Sequence, residues 1–181
     1  MRLFTAITFT EEIKDYLYNI IDELRKNTAG GTFTTRDNLH LTLNFIGETD
    51  RLELVKAAMD QSVAKVKAQR FTMAIGGFGL FKRREGDIYW VGVERENTLW
   101  KLQKELVKEL KDAGYFDLDD REYKPHLTLG RRVKVKSGFD EKAMAENIKP
   151  MKTDIVKISL MKSERIQGKL VYTEICHVEL I

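Results

Sequence analysis

Cysteine is nearly absent: Cys176 is the only one among 181 residues. No internal disulfide can form, so packing must hold the fold, and the lone thiol suits a reducing cytoplasm. Proline is almost as scarce, with two in the whole chain. No stretch rich in proline, glycine or serine divides the sequence, which excludes a flexible linker and predicts a single domain over 1–181. No window reaches the apolar length that spans a bilayer, and the N-terminus lacks the charged-then-apolar layout of a signal peptide. A cytoplasmic protein without a membrane partner is expected. Net charge is only +3, too weak for broad nucleic-acid coating but compatible with an anionic ligand. With 43% hydrophobic and 33% charged residues, the chain has the composition of an ordinary soluble domain.

Histidine is also rare, which makes its placement informative. Of three histidines, two open the same tetrapeptide: His40-Leu41-Thr42-Leu43 and His126-Leu127-Thr128-Leu129. Side chains alternate faces along a strand. Each copy therefore puts His and Thr on one face and two leucines on the other. The leucines suit a core, and the His and Thr can point into a cavity. His177, with no threonine partner, is read as structural.

The rest of the chain supplies a strand–helix–strand grammar twice. Residues 2–9 alternate as a strand buried on both faces. Thr10 is placed as the N-cap of a helix over 11–26, with Ile13, Leu17, Ile20, Ile21 and Leu24 on its apolar stripe. Ala29-Gly30-Gly31 is expected to end that helix. The strand from His40 is expected to stop at Gly47. Asp50 and Glu53 form a capping-box pattern before a helix over 51–68. Arg70–Ile75 is predicted as a strand, Gly76-Gly77-Phe78-Gly79 as bends, and 80–86 as a hairpin turn before a strand over 87–93. Asn97 is the expected cap of a third helix carrying Leu99, Leu102, Leu106 and Leu110, with Gly114 as its stop. A polar loop over 117–124 precedes the second motif. Asp140 starts a short helix ended by Pro150, and strands follow over 154–161 and 170–180. With a short edge strand at Thr32-Phe33-Thr34, the tally is about eight strands and four helices.

Paired imidazoles suit a phosphodiester. One neutral and one protonated ring make a general base and a general acid near neutral pH. Each threonine hydroxyl can donate to a non-bridging phosphate oxygen, where charge grows in the transition state. The scheme requires no metal, and neither motif contains a carboxylate or cysteine for a zinc site.

With these flanks the chain resembles the 2H phosphoesterase superfamily. Within it, the similarity is to the bacterial and archaeal RNA 2′,3′-cyclic phosphodiesterases, also called 2′-5′ RNA ligases. The similarity is carried by Arg2-Leu3-Phe4-Thr5-Ala6-Ile7, by Asn38-Leu39 through the first motif to Asn44-Phe45-Ile46-Gly47, by Tyr89-Trp90-Val91-Gly92-Val93, and by Pro125 through the second motif to Gly130-Arg131. It implies an α+β, bilobal fold: two antiparallel sheets related by a pseudo-twofold, helices outside and a central cleft. It implies cofactor-free hydrolysis of a 2′,3′-cyclic phosphate to a 2′-phosphomonoester, with weak 2′-5′ ligation as the reverse. His40 would be the proton donor and His126 the proton acceptor, with Thr42, Thr128 and Arg131 holding the phosphate. The implied partners are RNA ends or nucleoside 2′,3′-cyclic phosphates, and a monomer is expected.

Strict alternation would put Arg132, not Arg131, on the His126 face. A bulge at Gly130 would re-aim Arg131, which is the residue chosen, with Arg132 as the alternative. Trp90 and Phe45 are assigned to the core, Tyr123 either to packing or to base stacking, and Asn44 to the His40 face. Lys82, Arg83 and Arg84 form a basic turn, either solvated or touching RNA. A non-catalytic binder of RNA ends is the competing reading.

Overall fold

The computed structural model describes residues 1–119 and 121–181. Nine strands and four α-helices are present among them. The first sheet has the order β3-β1-β8-β9, built from β3 (His40–Glu48), β1 (Arg2–Thr8), β8 (Lys157–Ile166) and β9 (Lys169–Glu179). The second has the order β2-β6-β5-β4-β7, from β2 (Thr28–Phe33), β6 (His126–Val135), β5 (Asp87–Val93), β4 (Phe71–Phe81) and β7 (Met151–Ile155). Every pairing is antiparallel.

The two sheets repeat one plan. β1 leads through α1 (Glu11–Lys26) to its neighbour β3; β5 leads through α3 (Asn97–Asp112) to its neighbour β6. β3 and β6, which begin with the two motif histidines, thus occupy equivalent places. The fold is α+β, with two antiparallel sheets and helices packed on them, as the resemblance implies.

Helix amphipathicity builds the core. α1 buries Ile13, Leu17, Ile20, Ile21 and Leu24; α3 buries Leu99, Leu102, Leu106 and Leu110. α2 (Leu52–Val66) packs on α3. One apolar cluster takes in these residues with Leu41 and Leu43 of β3 and Leu127 and Leu129 of β6. Each such leucine or isoleucine contributes on the order of 2 kcal/mol by leaving water.

Several local expectations are corrected. Ala29-Gly30-Gly31 does not end α1, which stops at Lys26; it forms β2, a doubly irregular edge strand on β6. Thr10 occupies the N-cap of α1 without a side-chain cap bond, and α2 is preceded by Arg51 with none either, so no capping box forms. Glu96 rather than Asn97 caps α3, accepting from the Leu99 amide at 2.7 Å. Asp140 does cap the short α4 (Glu141–Asn147), which ends before Pro150. β3 continues through Gly47. The strand read over 154–161 spans the end of β7 and the first half of β8, which are separated at Val156. The loop over 117–124 includes Asp120, which lies outside the described residues.

The glycines at 76–79 are not bends between elements but part of β4. Gly79 is there for close approach: a Cβ on it would collide with Cζ2 and Cη2 of Trp90. The indole packs close against that bare backbone. We predict that Gly79→Ala lowers stability by about 1–3 kcal/mol, as overpacking does. The urea midpoint reads this, and an unchanged midpoint contradicts the packing assigned to Trp90.

Candidate active site

The two motifs fold alike to the level of single residues. Their burial patterns begin identically: half-buried His, buried Leu, half-buried Thr, buried Leu. His40 pairs with Thr8 and Thr42 with Ala6 across β1; His126 pairs with Gly92 and Thr128 with Trp90 across β5.

Both strands then bulge at the same point. In β3 the register passes from Thr42↔Ala6 to Asn44↔Thr5, leaving Leu43 extra. In β6 it passes from Thr128↔Trp90 to Gly130↔Tyr89, leaving Leu129 extra. One extra residue exchanges the faces of everything beyond it. Arg131 therefore returns to the His126 face. Arg132 sits outside, with φ 53° and a 3.8 Å ion pair to Glu85. The register shift falls beside Gly130, and of the two arginines it is Arg131 whose charge reaches His40.

The matching bulge in β3 was not expected, and it overturns two assignments. Asn44 leaves the His40 face and is buried against Thr5, its amide donating to Thr5 Oγ1 at 3.1 Å. Phe45 leaves the core and stands 48% exposed, five residues after its histidine as Arg131 is after its own. The guanidinium of Arg2 lies 4.9 Å from the Phe45 ring centroid.

Each imidazole is held by the main chain two residues earlier. His40 Nδ1 lies 2.7 Å from the Asn38 carbonyl, and His126 Nδ1 lies 2.7 Å from the Lys124 carbonyl. A carbonyl only accepts, so Nδ1 carries the proton in both rings and Nε2 is left for chemistry. His40 Nε2 meets Thr42 Oγ1 at 2.9 Å, the hydroxyl donating when the ring is neutral.

Aromatic rings back both histidines. Phe4 (4.9 Å) and Tyr172 (5.1 Å) flank His40; Phe81 (5.1 Å) and Trp90 (6.5 Å) flank His126. Burial pushes the His40 pKa below its ordinary value. The Asn38 carbonyl opposes this, while the positive charges of Arg131 and His126 lower it further. The structure thus brings His40, His126 and Arg131 within electrostatic reach of one another.

Two supporting residues were missed or left open by the sequence. Asn38 is buried, and its amide spans to β9: Nδ2 donates to the Leu170 carbonyl at 2.8 Å and Oδ1 accepts from the Tyr172 amide at 3.2 Å. The residue that grips His40 is thereby anchored to the strand carrying Tyr172. Tyr123 resolves toward packing. It lies edge-on to Trp100 and donates its hydroxyl to the Thr42 carbonyl at 2.9 Å, tying the second motif's approach to the first motif.

The other candidates lie apart. His177 is on the edge strand β9, between Glu174 (3.0 Å) and Glu179 (3.4 Å). The basic turn is braced by Asp87, which takes Lys82 Nζ and the Arg83 amide, both at 3.1 Å. A groove of about 600 Å³ runs between α1 and the 138–149 segment, and no motif residue lines it. No described helix is long and apolar enough to cross a membrane.

The two histidine motifs thus open equivalent strands of two matched antiparallel sheets, the arrangement of a 2H phosphoesterase-like fold. The comparisons specify the family. Residues 13–167 match the model of the 2′-5′ RNA ligase superfamily, and the chain belongs to it. A Thermotoga maritima protein named RNA 2′,3′-cyclic phosphodiesterase is 38% identical over 72% of this chain and 70% of its own. One of the same name from Methanothermobacter thermautotrophicus is 29% identical over 96% of both chains. Among solved structures, E. coli LigT complexed with 3′-AMP has a TM-score of 0.76 at 25% identity, covering 99% of this chain and 97% of its own.

We predict that the His40 ring titrates below 6.5, its ordinary value. Arg131→Ala removes a nearby cation and should raise that midpoint, whereas Arg132→Ala should not. Histidine ring NMR measures both. A midpoint indifferent to Arg131 contradicts the bulge-driven placement of its guanidinium.

Proposed function

We propose that this protein hydrolyses 2′,3′-cyclic phosphates on RNA or nucleotide ends to 2′-phosphomonoesters, by acid–base catalysis between His40 and His126. The observation that carries the reading is the matched pair of imidazoles, each gripped at Nδ1 and each offering Nε2. The names of the relatives agree with it. His126 Nε2 takes a proton from water as the water oxygen attacks phosphorus. The bond from phosphorus to the 3′-oxygen breaks, and His40 Nε2–H delivers its proton to that oxygen. Thr128 and Arg131 hold the non-bridging oxygens, and the Thr42 hydroxyl turns from His40 to the phosphate once His40 is protonated.

The lowered pKa of His40 fits the donor. A weakly basic imidazole is the stronger acid when charged, which favours proton delivery to an alkoxide. The anionic phosphate in turn favours the charged ring on binding. An RNA 5′-hydroxyl in place of water would form a 2′-5′ linkage through the same atoms. One chain supplies both motifs, so a monomeric, single-domain enzyme suffices, and the lone Cys176 is at ease in the cytoplasm.

Incubation with adenosine 2′,3′-cyclic phosphate in EDTA should yield the 2′-monophosphate alone. His40→Ala and His126→Ala should each lose about a hundredfold or more in rate. Saturable binding of the 2′-monophosphate with no turnover would instead identify a binder. The roles separate in the single variants. The residual rate of His126→Ala should fall as pH rises through the His40 pKa, because a donor must be protonated. A residual rate that rises there makes His40 the base.

A further inference from the structure

The sheet face that carries His40 holds more positive charge than the reaction at one phosphorus uses. Arg2 of β1 stands between Glu48 of β3 and Ser163 of β8, and Ser163 faces Tyr172 of β9. Residues paired directly across strands share a face. Arg2 and Tyr172 are thus in one cross-strand row, next to the row of Phe45 and Phe4. Phe4 lies 4.9 Å from both His40 and Tyr172, which places this row against the catalytic imidazole.

Among the described residues no carboxylate pairs with Arg2. Glu48 turns to the Met1 ammonium at 3.5 Å instead. Among the described residues, neither Arg2 nor Arg131 forms an ion pair. The Phe45 ring holds the Arg2 guanidinium by its face, which fixes the cation without occupying its N–H donors. The Tyr172 hydroxyl is without a hydrogen-bond partner among the described residues, and its ionisation responds to both Arg131 and Arg2. A held cation with free donors beside an unpartnered hydroxyl is built for an anion.

Thr42, Thr128 and Arg131 already account for the cyclic phosphate, so this anion is a second one. We place the ribose of the terminal nucleoside over the first sheet, because His40 serves its 3′-oxygen in the proposed reaction, with its 5′-carbon toward this face. We infer that Arg2 and the Tyr172 hydroxyl take the 5′-phosphate of the nucleoside that bears the cyclic phosphate. The preferred substrates are then 5′-phosphorylated: RNA ends, whose terminal nucleoside carries a 5′-phosphodiester, or a nucleoside 5′-phosphate 2′,3′-cyclic phosphate. This rests on the cyclic phosphodiesterase reading and adds a specificity to it.

The test compares kcat/KM for adenosine 2′,3′-cyclic phosphate, for its 5′-phosphorylated form, and for the dinucleotide ApA ending in a 2′,3′-cyclic phosphate. At least one of the latter two should exceed the first by about tenfold, the effect of one charge-assisted hydrogen bond. Preference for the dinucleotide identifies RNA ends as the source of the anion; preference for the monoester alone identifies a free nucleotide. Arg2→Gln should abolish the advantage and Arg2→Lys should keep part of it. Arg132→Gln removes the same charge from outside the cleft and should leave it intact. Equal kcat/KM for all three substrates, or an advantage that survives Arg2→Gln, overturns the inference. Failure to hydrolyse even adenosine 2′,3′-cyclic phosphate would strike the proposed function itself.

Discussion

A main-chain carbonyl two residues upstream grips the Nδ1 proton of each motif histidine, and the orientation of the whole site hangs on those two bonds. The carbonyl fixes the tautomer and the ring plane together. It can do so because the next residues enter a strand at once, with Leu41 and Leu127 pressed into the core. The imidazole is left no conformation but one facing away from the leucines.

The duplication is close in geometry and unequal in support. Both strands bulge after the fourth motif residue, and both return the sixth to the histidine face. The first sheet places an aromatic there, Phe45, and the second a cation, Arg131. The grip on His40 is buttressed by the buried amide of Asn38, bonded to two main-chain groups of β9. The grip on His126 comes from a loop that Tyr123 fastens to Thr42. His40 is the more deeply set of the two, and its depressed pKa follows from that burial. Two copies of one motif thus acquire different environments.

The strands, the helices and the motif histidines were legible because each is written in local periodicity. The leucine stripe of α3 and the alternation of the two motifs leave little freedom. The caps of α2 and α3 slipped by one residue, where neighbouring polar side chains such as Glu96 and Asn97 are interchangeable from sequence. The bulge in β6 is signalled by Gly130, a residue that tolerates the irregular backbone. The bulge in β3 has Asn44 in that place and gives no such sign, so Phe45 and Asn44 were assigned to each other's faces. The Asn38 bridge joins residues 132 and 134 positions apart, a distance over which no pattern in one sequence carries information. The glycines of β4 were visible, but their purpose was not: Gly79 is shaped by an indole from the adjacent strand.

The central claim is that both Nε2 atoms address one phosphorus. A crystal structure with adenosine 2′-monophosphate tests it most directly. The account predicts His40 Nε2 and His126 Nε2 each within about 3 Å of oxygens on the same phosphate. A phosphate that touches only one imidazole, or that binds away from both, would contradict it.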